Sequence, residues 1–479
     1  MAQRRAASPI TQIMDLLPGA GYHEEILFLL TARSGPDIHR LPPKHSDFSA
    51  PDRLRYDPIA QRRRQIYDAP MTTEAGSPRN VAGPIVRGSD FWGRQAEVDS
   101  LWRLLKNGSV LLTAPRRHGK SSLMSALADS PRPDWTVCQI DVEYIEKPEE
   151  FLTELTAMLL LKEPFRRLLK RTAAMPAQLM GWVGKMLESV SVGLPGHGEL
   201  KLGLRDALLK PQQWPELAEQ LFSVMEAMDG DVLLIIDEFP MMIASFLDRN
   251  EEGAVAFLKW FRAQRQRTDR ARVRLVLGGS VNIEPRLEAI GRQALLNDLQ
   301  RFRLEQMARE RSIAFVGAVL EGEQALFHAG VPDEIVRVAD CGIHFFLQVL
   351  ISECLLEARR RGTTLASSDV EPVYRDRVLG PSNRARFSHY LTRLKEHYGN
   401  LEHAARIVLG ELARNGKRRE DELLAALRAE GVEEVAVSRT LVLLESDYYV
   451  LRDAGGVWFT SGFLRDWWLR NVPVAPRLS

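Results

Sequence analysis

Ala114-Pro115-Arg116-Arg117-His118-Gly119-Lys120-Ser121 stands directly after a short apolar stretch, Ser109–Thr113 (SVLLT), and opens a segment, Ser121–Ala128, that reads as a helix. A strand, a tight basic turn and a helix in this order form a cradle for a phosphate chain. Backbone N–H groups at the helix N-terminus point toward the anion, a lysine reaches the terminal phosphates, and a hydroxyl is available to Mg²⁺. Gly119 permits close approach of the backbone, Lys120 is that lysine, and Ser121 carries that hydroxyl. Pro115, Arg116, Arg117, His118 and Ser122 complete the candidate loop and its first helical turn. The pattern departs at Ala114, where glycine is usual, and His118 reads as filling the loop, since phosphoryl transfer requires no proton shuttle there.

Working outward, Asp231–Asp237 (DVLLIID) is almost continuously apolar, as expected of a parallel strand buried on both faces. It runs into Asp237-Glu238, and two adjacent carboxylates at the end of a buried strand are costly unless they face a polar crevice or a cation. Asp237 is the candidate Mg²⁺ ligand, through the ion's water shell, and Glu238 the candidate residue for polarising an attacking water. A further strand, Val273–Leu277, ends in Gly278-Gly279-Ser280-Val281-Asn282. Ser280 is the first candidate for touching the terminal phosphate or the water, and Asn282 the second. A glycine-rich turn without catalytic meaning is the competing reading. With Trp135–Val142 as another strand and helices at Glu149–Leu161 and Glu252–Arg267, the alternation predicts an α/β fold with a parallel sheet and right-handed crossovers.

The 479 residues correspond to roughly three domains at about 150 residues each. Hydrophobic residues make up 45% and charged residues 27%, which excludes a wholly disordered chain. With 64 Lys plus Arg against 63 Asp plus Glu, any nucleic-acid contact has to come from a local patch rather than from overall charge. Apolar runs stay short of the roughly 18 residues that span a bilayer. The N-terminus lacks the apolar core of a secretory signal. Cys138, Cys341 and Cys354 are odd in number and lack metal-ligand spacing, so a soluble, cytoplasmic protein without disulfides or structural zinc is expected. Ile10, Ile13, Met14 and Leu17 suggest a short N-terminal helix. From Ser34 to Pro84 the Pro-, Ser- and Arg-rich composition, with the Arg62-Arg63-Arg64 triplet, suggests a tether or surface-wrapping arm.

At these motifs the chain resembles the archaeal-type ATPase family, P-loop NTPases lying between the AAA+ and STAND groups, over roughly Phe91 to Asn471. Pro115 to Lys120 matches the Pro-Arg-Arg-x-Gly-Lys form common in that family. Phe91-Trp92-Gly93-Arg94-Gln95-Ala96-Glu97 is similar to its motif ahead of the first strand, which implies that Gly93 and Arg94 lie near the adenine. Cys341-Gly342-Ile343-His344-Phe345-Phe346 looks like its glycine–x–proline lid motif, with His344 where proline is expected. The resemblance implies a sheet of the additional-strand type, a helical lid and a C-terminal winged helix, with ATP and Mg²⁺ between sheet and lid. The expected domains are 1–85 (N-terminal helical segment and arm), 86–304 (ATPase), 305–385 (lid) and 390–472 (winged helix).

Two questions stay open at this level. Helices at Ala404–Ala413, Asp421–Arg428 and Val437–Glu445, then a hairpin over Tyr448–Thr460, fit a winged helix. Its third helix offers a single arginine, Arg439, and His403–Asn471 holds ten Lys plus Arg against eleven Asp plus Glu. Duplex DNA and a protein partner or intramolecular lid role therefore compete, with Lys417-Arg418-Arg419 as the one basic patch. A protein partner for the N-terminal arm and assembly into a homo-oligomer are also compatible. The second question is the arginine that stabilises charge in the transition state. Arg301 lies about where an AAA+ finger falls, with Arg262 and Arg265 as rivals. The reading reached is an ATP-hydrolysing molecular switch, and its alternative is a DNA-associated ATPase.

Overall fold

The computed structural model describes residues 77–170, 176–192, 213–267, 272–279 and 283–472. The readings made for the first 76 residues, and those for Ser280 and Asn282, lie outside them. Five parallel strands form the sheet: β1 (Val110–Thr113), β2 (Trp135–Asp141), β3 (Asp231–Asp237), β4 (Val273–Gly279) and β5 (Gln300–Arg303), in the order β2-β3-β4-β1-β5. β4 lies between β1 and β3, so an additional strand separates the one that feeds the phosphate loop from the one that carries the acidic pair. The fold class expected from the sequence is the one observed.

Side-chain alternation along the strands divides the core into two faces. Val110, Leu112, Leu233, Ile235 and Val276 pack against α1 (Gln95–Leu105) and α2 (Lys120–Asp129). Leu111, Leu234, Ile236, Leu275 and Leu277 face the other way. There they meet α3 (Pro148–Leu160), α4 (Trp214–Glu226), α5 (Phe239–Arg249) and α6 (Glu251–Gln266), whose Phe151, Trp214, Phe239, Phe257 and Phe261 interlock in edge and stacked pairs. β5 was not anticipated. Its residues Gln-Arg-Phe-Arg are at most half-buried, so no apolar run marks it, and only pairing with β1 makes it a strand.

Beyond the sheet come α7 (Arg309–Gly322), α8 (Val331–Ala339), α9 (His344–Arg361), α10 (Ser367–Val373) and α11 (His389–His397). The C-terminal part has three helices, α12 (Glu402–Asn415), α13 (Glu420–Ala429) and α14 (Glu434–Ser446). The antiparallel hairpin β6 (Val450–Asp453) and β7 (Gly456–Phe459) follows, and α15 (Gly462–Asn471) closes the chain. This is the expected order of helices and hairpin. The helices α7–α11 and the C-terminal part share one continuous apolar core, in which Phe346 of α9 stacks on Phe463 of α15 at 4.3 Å between centroids.

Of the arm expected over residues 1–85, residues 77–85 are described, and they are held against α7 and α9. Arg79 pairs with Asp90 at 2.6 Å. The Asn80 backbone N–H donates to Glu323 at 3.0 Å, and its side-chain amide donates to Ser352 at 2.8 Å and the Gln348 carbonyl at 3.2 Å. The Val86 N–H donates to the Ser122 hydroxyl at 3.1 Å. A composition rich in polar residues concealed these anchors, because each is a hydrogen bond rather than an apolar contact.

Candidate functional site

β1 ends at Thr113 and α2 begins at Lys120, so residues 114–119 make the whole turn. Gly119 takes a left-handed φ of 85°, which delivers the chain into the helix. Arg117, a non-glycine, is also left-handed at φ 72°. Ala114 is fully buried in the core beneath the loop, and its φ is not positive, so the position has no need of glycine. The departure noted in the sequence therefore leaves the backbone path intact.

Lys120 is 5% exposed, and its ammonium contacts Oδ1 of Asp237 and lies 3.3 Å from Oε1 of Glu238. Asp237, 6% exposed, also accepts from the Glu238 N–H at 2.8 Å. Glu238 sits at φ 56° as the residue before α5, a left-handed conformation that turns its carboxylate into the cleft. Gly278 and Gly279 at the end of β4 have a packing reason. A Cβ at Gly279 would come within 2.3 Å of the Pro240 ring, and one at Gly278 within 2.6 Å of Met124 Sδ.

The cleft above this turn has a volume of about 290 Å³. Phe91, Trp92, Arg94, His118, His344 and Phe345 line it. His344 Nε2 lies 3.4 Å from the Trp92 carbonyl and its ring meets Phe315 edge-on. Burial pushes both His118 and His344 down to a pKa of about 3, so both are neutral. Arg94 donates to Glu97 at 2.8 Å, while its Nε and Nη2 are buried with no protein partner. Glu143, Glu238, Met241 and Arg116 line it as well, as do Arg393, Glu396 and His397 of α11. Burial raises the Asp141 and Glu143 carboxyls, with Asp237 and Glu238 adding to the shift at both. A strongly acidic corner beside a phosphate cradle favours a cation.

Of the residues expected in a nucleotide site, Pro115, Arg116, Arg117, His118, Gly119, Lys120, Ser121, Ser122, Arg94 and Glu238 line this one cleft. Asp237 lies beside it on Lys120. Gly93 lies behind it, its carbonyl accepting from Arg311 at 3.3 Å. Arg301 is elsewhere: it sits on β5 and pairs with Glu284, the Nε–Oε1 distance being 3.1 Å. Arg262 and Arg265 are held on Asp298, Arg265 at 2.7 Å. The sequence reading missed the Gly83–Val86 segment and the α11 residues. His389-Tyr390-Leu391-Thr392-Arg393 carries no motif, and only the tertiary fold brings that helix to the loop. Ser121 and Asp237 offer hydroxyl and carboxylate oxygens, a donor set suited to Mg²⁺ with water and phosphate completing the shell.

The C-terminal part meets the sheet at Tyr448, which has φ 61°. Its side chain meets Thr113 at the end of β1, and the Arg303 guanidinium lies 4.7 Å over its ring. The basic patch is locally paired: Lys417 with Asp453 at 2.8 Å, Arg418 with Glu422 at 3.6 Å and Arg419 with Asp421 at 2.8 Å. Among the described residues no helix is long and apolar enough to cross a membrane, and no group of three His, Cys, Asp or Glu is arranged to hold a metal ion.

No family model matches the chain, and no curated protein matches it. Solved structures do. The Walker-type ATPase of Pyrococcus abyssi superposes with a TM-score of 0.55 at 17% identity, over 82% of this chain and 98% of that one. An ORC2 protein of Aeropyrum pernix, solved in ADPNP–ADP complexes, aligns over 83% of this chain and 93% of its own at 12% identity, with a TM-score of 0.45. The chain therefore has the fold of an archaeal Walker-type ATPase, as its motifs suggested.

Proposed function

We propose that the chain binds Mg-ATP in this cleft and hydrolyses it slowly, using the cycle as a conformational switch. The observation that carries the reading is the placement of Lys120. It is the first residue of a helix that opens on a phosphate-sized turn, held between the carboxylates of Asp237 and Glu238 and walled by helices from the C-terminal half.

In this reading the purine lies against Trp92 and Phe345, and the phosphates lie over residues 115–121. Arg94, with two buried N–H groups that lack protein partners, donates to the nucleotide. Lys120 turns from the carboxylates to the phosphate oxygens, which frees Glu238 to accept a hydrogen bond from the attacking water. Asp237 and Ser121 would hold Mg²⁺, which when bound neutralises charge on the β- and γ-phosphates. The switch part rests on Tyr448 and α11: both belong to the C-terminal half, and they meet the phosphate loop's strand and the cleft itself. Nucleotide state is thereby coupled to how that half is seated. The DNA-docking alternative is carried less far by the structure, since Lys417, Arg418 and Arg419 each pair with a neighbouring carboxylate.

The test is phosphate release by the full chain, with and without duplex DNA, beside Lys120→Ala and Glu238→Gln. Slow turnover indifferent to DNA, falling by about 100-fold or more in both variants, is expected. Turnover that rises several-fold with DNA would transfer the case to the DNA-coupled reading. Variants equal to wild type would remove the site.

A further inference from the structure

An arginine in a phosphate loop is expected to reach phosphate, and Arg117 is committed elsewhere. Its guanidinium lies over the ring of Phe345, in the first turn of α9, 4.5 Å from the centroid. Its Nη1 donates to the Gly83 carbonyl at 3.5 Å, and its Nε is buried with no hydrogen-bond partner among the described residues. We propose that Arg117 is a positioning residue for the base and not a phosphate ligand: it clamps Phe345 and the segment around Gly83 over the phosphate loop, and so sets how fast nucleotide leaves. This inference rests on the ATPase reading above, which puts the purine against Trp92 and Phe345.

Three observations carry it. The first is what holds the guanidinium. A hydrogen bond of 3.5 Å is a long one, and the buried Nε has none, so the face of the Phe345 ring is its main support. The ring itself is fixed: Phe345 is 5% exposed and meets Phe346 and Phe387 in the core of the helices after the sheet. The second is the junction. The chain from Asn80 to Val86 crosses from α9, where Asn80 donates to Ser352 and the Gln348 carbonyl, to α2, where Val86 donates to Ser122. Gly83 lies midway at φ 119°, and a Cβ there would stand 3.9 Å from the Phe345 ring. Arg117, Phe345 and Gly83 all line the cleft, so one ring joins the loop, the helix and the crossing segment. The third is strain. Arg117 is left-handed at φ 72°, a conformation in which glycine is at ease and a residue with a Cβ is not. Such a residue persists where its surroundings hold it, and here its side chain reaches a contact that glycine could not make.

The experiment uses the full chain and compares wild type with Arg117→Gly, Arg117→Lys, Phe345→Leu and the double variant of Arg117→Gly with Phe345→Leu. Arg117→Gly keeps the left-handed turn and removes the clamp. Release of a fluorescent ATP analogue is followed in stopped flow, beside affinities for a non-hydrolysable ATP analogue and for ADP. We expect Arg117→Gly to release nucleotide about fivefold faster, the worth of a partly buried cation–π contact. Affinities for the ATP analogue and for ADP should fall by the same factor, because the terminal phosphate is not what Arg117 touches. Arg117→Lys should recover part of the slow release, since an ammonium also sits on a ring face. In the Phe345→Leu background, Arg117→Gly should change the rate by less than about twofold, its contact being already gone. Release at the wild-type rate in Arg117→Gly would overturn the proposal. So would a loss of ATP-analogue affinity well beyond that of ADP, or the full fivefold effect persisting beside Phe345→Leu. If Phe345→Leu melts far below wild type, Arg117→Gly and Arg117→Lys with the ratio of ATP-analogue to ADP affinity decide instead. Wild-type chain that binds no nucleotide would bring down the ATPase reading, and with it this one.

Discussion

Glu238 sits at φ 56°, where a side chain other than glycine costs about 1 kcal/mol or more. Such strain is retained when the residue has to point somewhere particular, here into the cleft beside Lys120. Replacing it with glycine should change stability by less than about 1 kcal/mol, since the relief of strain and the added freedom of the unfolded chain nearly offset. Turnover should nevertheless fall by about 100-fold or more. Thermal melting beside phosphate release checks both halves, and a variant that keeps its turnover would deprive Glu238 of its role. At this scale much was legible in the sequence. The loop and the acidic pair announce themselves because their chemistry demands particular residue types at particular spacings. The residues of α11 that line the cleft did not, since charged positions on an amphipathic helix look like any others until the chain folds.

Among the elements, the segment from Ser77 to Asp90 illustrates what composition hides. It has no helix or strand of useful length, yet it lies along the cleft and is tied to α7, α9 and α2. Asn80→Ala removes two of those bonds and should cost about 1–2 kcal/mol. Release of bound nucleotide should become several-fold faster, measurable as displacement of a fluorescent ATP analogue in stopped flow. Equal release rates would mean that the segment is a bystander to nucleotide exchange. β3 was plain because Val232–Ile236, the five residues between its two terminal aspartates, are all apolar, as a strand covered on both faces must be. β5 was invisible because it is an edge strand with charged residues outward, the composition that protects an open edge from pairing with other chains. The hairpin β6–β7 could be placed because its turn, Asp453-Ala454-Gly455-Gly456, advertises itself.

For the molecule as a whole, buried neutral histidines set an acid limit. His118 and His344 titrate near 3 when folded and near 6.5 when unfolded. Between those values the unfolded chain binds protons that the folded chain refuses, so their contribution is intact above about pH 6.5 and lost as pH falls toward 3. Each histidine should add a slope of up to about 1.4 kcal/mol per pH unit in that window. Urea unfolding at pH 7 and pH 5 measures it, and His118→Asn should flatten the loss by one proton; an unchanged pH dependence would show that His118 is solvated. The sequence could not forecast this, because burial comes from the loop and the helices after the sheet together. The sheet order has a consequence of another kind, in the timing of synthesis. β1, which feeds the phosphate loop, pairs only with β4 and β5, Val110 opposite Val276 and Gln300. Its hydrogen-bonding edges therefore wait until more than half of the chain has left the ribosome. For all that time an apolar strand is without neighbours, and the general expectation for such late, non-local pairing is slow folding of the sheet and exposure to association during translation.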